Sequence, residues 1–100
     1  LKDNPLGEVS FEDTIGVQNN SQTDCCSALL EFNVYPYEPL DAELVLDGST
    51  IETYSGLYVE QDNVLNKNVT GLNSGSHEWY VRLVNGSQTI ESGKMYFEVE

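Results

Sequence analysis

The sequence predicts an all-β fold, a two-sheet antiparallel β-sandwich of roughly seven to nine strands, and three observations carry that reading. Short runs alternate apolar and polar residues about every 8–12 positions, with no helical periodicity. Turn dipeptides separate them, chiefly Asp47-Gly48 and Asn85-Gly86. The stretch Gly71–Gly86 sets Trp79, Val81 and Leu83 on one face of a strand and Tyr80 and Arg82 on the other. With 100 residues, the chain can bury one modest core.

Residues Leu1–Gly7 are polar and carry Pro5, so they read as a lead-in or linker before a single sandwich domain spanning 8–100. Val9, Phe11, Ile15 and Val17 share one face, and Asp13 interrupts them. A kink at Glu12–Thr14 is expected, as a bulge or a switch between sheets. Asn19–Asp24 reads as a polar loop. Ala28–Tyr35 is a strand with Leu30, Phe32 and Val34 inward, ended by Pro36 and Pro39, which cannot donate to a ladder. Ala42, Leu44 and Leu46 alternate with Glu43 and Val45. Asp47-Gly48 turns into Thr50–Tyr54, and Leu57–Glu60 follows as another short strand. Val64–Thr70 is β-branched with polar interruptions, which suits an edge. After the Trp79 strand, Asn85-Gly86 reverses the chain. Thr89–Glu91 and Met95, Phe97 and Val99 make the last strand, broken at Ser92-Gly93 and still running at Glu100. The expected core is Leu30, Phe32, Val34, Trp79, Val81, Leu83 and Phe97.

Seventeen carboxylates face four Lys/Arg, a net charge of -13. Phosphate backbones and anionic bilayers need a basic footprint, so nucleic acid and anionic membranes are excluded as partners. The acidic excess reads first as a solvated surface. No apolar run reaches about 18 residues, so no segment is expected to insert in a membrane as a helix. No secretory leader pattern is present, and the chain starts at Leu1, so it is expected to be processed or cut from something longer.

Several constellations merit weighing. Cys25 and Cys26 are the only cysteines; they can form a vicinal disulfide, bridge to another chain, or stay as thiols, one buried and one exposed. Sequons occur at Asn19, Asn68 and Asn85, all in or beside expected turns or edges where a glycan fits. Ser76-His77-Glu78 looks like a catalytic set, but on a strand Ser76 and Glu78 share a face and His77 takes the other, so no local relay forms. With only one histidine, hydrolase chemistry would need an acid pair instead, and no enzyme activity, catalytic residue or cofactor is expected. Two acidic groups, Glu38/Asp41/Glu43/Asp47 and Glu60/Asp62/Asn63, offer the oxygens calcium uses without matching a known loop spacing; no metal residue is assigned. Tyr35, Tyr37, Tyr54 and Tyr58 are the outward candidates for stacking on sugars, against the ordinary role of aromatics as strand formers.

Residues Val69–Leu83 resemble the E–F corner and F strand of fibronectin type III and related immunoglobulin-like domains, with Leu72 as the corner leucine and Trp79 as the strand aromatic. The strand is closer still to bacterial and archaeal extracellular variants that read G-x-x-x-W-x-V, with a last strand F-x-V, here Phe97-Glu98-Val99. The B-strand tryptophan of the family is absent; Phe32 stands near its place. The resemblance implies an immunoglobulin-like or fibronectin type III-like sandwich with spacer, adhesion or filament roles at the cell surface and no fixed activity. The expected function is a non-enzymatic extracellular module contacting neighbouring copies or tandem domains through strand edges. The edges in view are the broken first strand and the open last one. The alternative is a carbohydrate-binding module or an accessory domain of a secreted enzyme.

Overall fold

The computed structural model describes residues 6–11, 16–86 and 88–100. Nine strands follow in order: β1 (Gly7–Phe11), β2 (Ser21–Thr23), β3 (Ala28–Pro36), β4 (Asp41–Leu46), β5 (Ser49–Tyr54), β6 (Asn63–Val69), β7 (Gly75–Asn85), β8 (Gln88–Glu91) and β9 (Met95–Val99). There is no helix among the described residues. β1-β3-β6 form one sheet, and β2-β9-β7-β4-β5 form the other, with β8 also paired to β7. Every pairing is antiparallel except β2 with β9, which is parallel.

The period-two pattern explains how the sheets face each other. Leu30, Phe32 and Val34 of β3 meet Ala42, Leu44, Trp79, Val81, Leu83 and Phe97 of the opposite sheet in one buried cluster. Trp79 is 1% exposed. The Phe11 ring meets it edge-on at 5.1 Å and Phe32 lies tilted at 6.3 Å, the offset arrangements that aromatic quadrupoles favour. Leu6, expected in the lead-in, is fully buried in this cluster, and Gly7 already belongs to β1.

The β4–β5 turn shows why the Asp-Gly signal is strong. Asp47 and Gly48 have φ of 51° and 85°, the left-handed pair that lets a two-residue hairpin match strand twist. Glycine accepts that conformation without a Cβ clash.

Further expectations are refined or corrected. Ser21–Thr23, read as loop, is a strand because it pairs in parallel with Phe97–Val99. β9 is therefore flanked by β2 and β7, and the last strand is not an open edge. Leu57–Glu60 is loop, with Glu60 at φ 58°. Tyr54 turns inward onto Phe32, at 5.7 Å and 78°. Tyr80 does lie on the outer face, yet it is buried there beneath the Arg82 guanidinium, 5.8 Å from its ring centroid. The expected kink at Glu12–Thr14, with Ile15, falls outside the described residues. Either side of it, β1 lies in one sheet and β2 in the other.

The strand directions define two poles. Gly7 pairs with Pro36 and Asn63 with Val34 at the upper pole, while Gly75 pairs with Val99 and Leu46 with Trp79 at the lower. The chain thus enters the sandwich at one pole, with Leu6, and leaves at the other, with Glu100. The body measures 40 × 25 × 25 Å, its long axis matching the length of an 11-residue strand.

Candidate functional site

At the lower pole, the register that sets Leu46 opposite Trp79 brings the β4–β5 turn against the start of β7. The Asp47 N–H donates to the Glu78 carbonyl at 2.8 Å, and Glu78 N–H donates to Asp47 Oδ1 at 3.0 Å. His77 Nδ1 lies 2.6 Å from Asp47 Oδ2, and Nε2 lies 2.8 Å from the Asn73 carbonyl. The ring stacks on Phe97 at 5.4 Å. The Asn73 carbonyl first, and then the Asp47 carboxylate, raise the His77 pKa above its ordinary 6.5, against the opposing effect of burial. Ser76 Oγ instead donates to Glu98 at 3.2 Å, and Glu78 pairs with Lys94 at 3.3 Å. The three residues of the Ser-His-Glu set are thus tied to different partners and not to one another, and the imidazole acts as a clamp between two loops.

The acidic groups disperse. Glu43 holds Arg82 at 2.9 Å and Asp47 holds His77. Asp62 accepts from Asn33 at 3.0 Å. Asn63 is buried, and its amide bridges the 58–62 loop: Nδ2 reaches the carbonyls of Val34, Tyr58 and Gln61, and Oδ1 accepts the Tyr58 N–H. Among the described residues, no three His, Cys, Asp or Glu are grouped to hold a metal ion. Each described cation sits beside a carboxylate: Lys67 on Glu52, Arg82 on Glu43 and Glu91, Lys94 on Glu78.

Cys25 and Cys26 are joined to each other in the loop before β3. The Cys26 carbonyl accepts the Leu72 N–H at 2.8 Å, which ties that loop to the turn before β7.

Of the tyrosines singled out, Tyr35 and Tyr37 pack ring to ring at 6.2 Å on the upper pole. The Tyr37 hydroxyl bonds the Glu8 carboxylate. Tyr58 is 67% exposed nearby, whereas Tyr54 is taken up by the core. Tyr96, passed over in the sequence, is 46% exposed on the outer face of β9, beside a shallow groove of about 350 Å³ lined by Asn20, Gln22, Ser76 and Glu98. Its position opposite Glu78, at an outward parity, was the available signal.

No protein-family model matches the chain, and no curated protein matches it. Among solved structures, it is similar to the CARDB domain of a Pyrococcus furiosus protein, crystallised in complex with di-metal ions. The two share 13% identity with a TM-score of 0.65, over 95% of this chain and 90% of the other. That likeness and the strand order make the fold an immunoglobulin-like β-sandwich.

Proposed function

We propose that the chain is a non-enzymatic module of an extracellular, cell-surface or filament protein, serving as a spacer and contacting neighbouring copies along exposed strand edges. The observation that carries this reading is the placement of Leu6 and Glu100 at opposite poles of the strands, in a body 40 Å long. Copies joined in series then extend end to end instead of folding back. Supporting it, the polar groups that sequence offered for chemistry are bound into turns and clamps, as at His77 and Asn63. An acidic surface keeps such modules apart in solution while leaving backbone pairing at open strand edges, β1 among them, as the route to contact.

A tandem of two copies, measured by small-angle scattering, tests the spacer role. Its longest dimension should be about twice that of one copy. A tandem no longer than a single module refutes it. Sedimentation of the single chain over a wide concentration range tests the contacts; a strict monomer throughout refutes them.

The second reading is carbohydrate binding, favoured by the Tyr35–Tyr37 pair beside Glu8 and the exposed Tyr58. Sugars stack on such rings while carboxylates accept their hydroxyls. A glycan array decides it: binding lost in Tyr35→Ala supports this reading, and no binding removes it. The di-metal ions of the Pyrococcus furiosus domain bring no metal site to this proposal.

A further inference from the structure

We infer that Asn68 is the asparagine of this chain that carries an N-linked glycan, an inference that rests on the extracellular reading above. Attaching a sugar turns the side-chain amide into a substituted one and demands open space outside the fold. The three sequons meet those demands unequally.

Asn19 is already engaged. Its Oδ1 accepts the Tyr96 N–H at 2.8 Å, while the next residue's N–H donates to the Tyr96 carbonyl at 2.6 Å. Its side chain continues the β2–β9 pairing through that oxygen, and the sequon hydroxyl of Ser21 is itself bound, donating to the Gln18 carbonyl at 2.6 Å. Asn85 closes β7, is half-buried, pairs with Gln88, and lines a groove with Leu40, Leu57 and Val84. A sugar at that position has to displace the turns around it.

Asn68 has neither restraint. β6 alternates, with Val64, Asn66 and Asn68 exposed while Leu65 and Val69 pack on the core and Lys67, between them, reaches Glu52. The Asn68 side chain makes no hydrogen bond among the described residues. Thr70, two positions on and exposed, extends the same alternation, so the sequon hydroxyl lies on the side of the carboxamide.

The position also has a consequence for assembly. β6 is an edge of the three-stranded sheet. Its Asn66 carbonyl is capped by the Tyr54 hydroxyl at 3.1 Å, and Lys67 is paired to Glu52 at 3.3 Å. A glycan on the outer face of the same strand covers Val64, which is 59% exposed, and closes this edge to other chains. Contacts between copies are thereby directed to the other edges, β1 of this sheet and β2, β5 and β8 of the facing sheet.

The experiment is secretion of the full chain from a eukaryotic host, followed by glycopeptide mapping. The peptide containing Asn68 should carry most of the sugar. Asn68→Gln should remove it and leave the melting temperature of the enzymatically deglycosylated protein unchanged, whereas Asn19→Gln should lower that temperature. An empty Asn68 in folded, secreted protein overturns the inference, as does heavier occupancy at Asn19 or Asn85. Because the host supplies the compartment, an empty Asn68 counts against the site and not against the extracellular reading.

Discussion

Asp47 and His77 lie thirty residues apart in sequence, and they form the contact that locks the β4–β5 turn to the start of β7. On its other side, His77 faces the Asn73 carbonyl. A carboxylate and a carbonyl only accept, so only the doubly protonated imidazolium donates from both nitrogens. Protonation therefore completes the clamp.

The stability of the domain should carry this titration. The folded pKa of His77 is raised above its ordinary 6.5. A raised folded pKa means the contribution is fully present below about 6.5 and is lost as pH rises through the folded value. Melting temperature should thus fall across the neutral range. The net charge of -13 imposes a slope of its own, so the diagnostic quantity is the difference from His77→Gln. That difference should be largest in mild acid and shrink above neutrality. Parallel curves for the two proteins would remove the clamp.

Asn63 makes a sharper case, since its amide donors serve three carbonyls in a buried setting. Asn63→Asp replaces those donors with a carboxylate facing the same oxygens. The expected loss is about 2–4 kcal/mol, from an unmade hydrogen-bond set and a buried charge. Urea unfolding reads it, and amide exchange at Tyr58 should accelerate first. A loss within measurement error would show that water substitutes for the amide.

What was legible in the sequence follows from where the information resides. Leu30, Phe32 and Val34, and Trp79, Val81 and Leu83, announce their strands because each inward position is apolar. β2 has no such pattern; Ser21–Thr23 is a strand only because β9 offers it an edge. Tyr54 was misplaced for a different reason. The register shifts between Leu44 and Val45, and this bulge lets Ile51 and Tyr54, an odd number of residues apart, both pack on the core. The Asp47–His77 clamp was hidden because it depends on the pairing of Leu46 with Trp79, which no local signal specifies.

Trp79 is the only tryptophan, so it reports on its own burial. Replacing it with alanine should cost about 3–5 kcal/mol, from lost transfer energy and the cavity left between Phe11 and Phe32. A domain of this size has about 5–15 kcal/mol in total, so the variant should be close to unfolding. Trp79→Phe keeps an aromatic ring and should lose less. Native fluorescence should be blue-shifted and move red in denaturant; emission already at the solvent value would contradict the packing.

The side of the sandwich formed by β5 and β6 offers a test that joins stability to assembly. The Tyr54 hydroxyl covers the Asn66 carbonyl, and the Lys67–Glu52 pair spans the two sheets beside it. Removing the hydroxyl alone, in Tyr54→Phe, should cost about 0.5–1.5 kcal/mol. The ion pair is exposed and its loss should be small, at most about 1 kcal/mol. Its larger effect is geometric, because a charged residue on an edge strand discourages another strand from pairing there. The double variant Tyr54→Phe, Lys67→Ala, without a glycan, should therefore self-associate at lower concentration than the parent while staying folded. If sedimentation shows no difference between them, β6 is closed by some other means, and the two contacts act on stability alone.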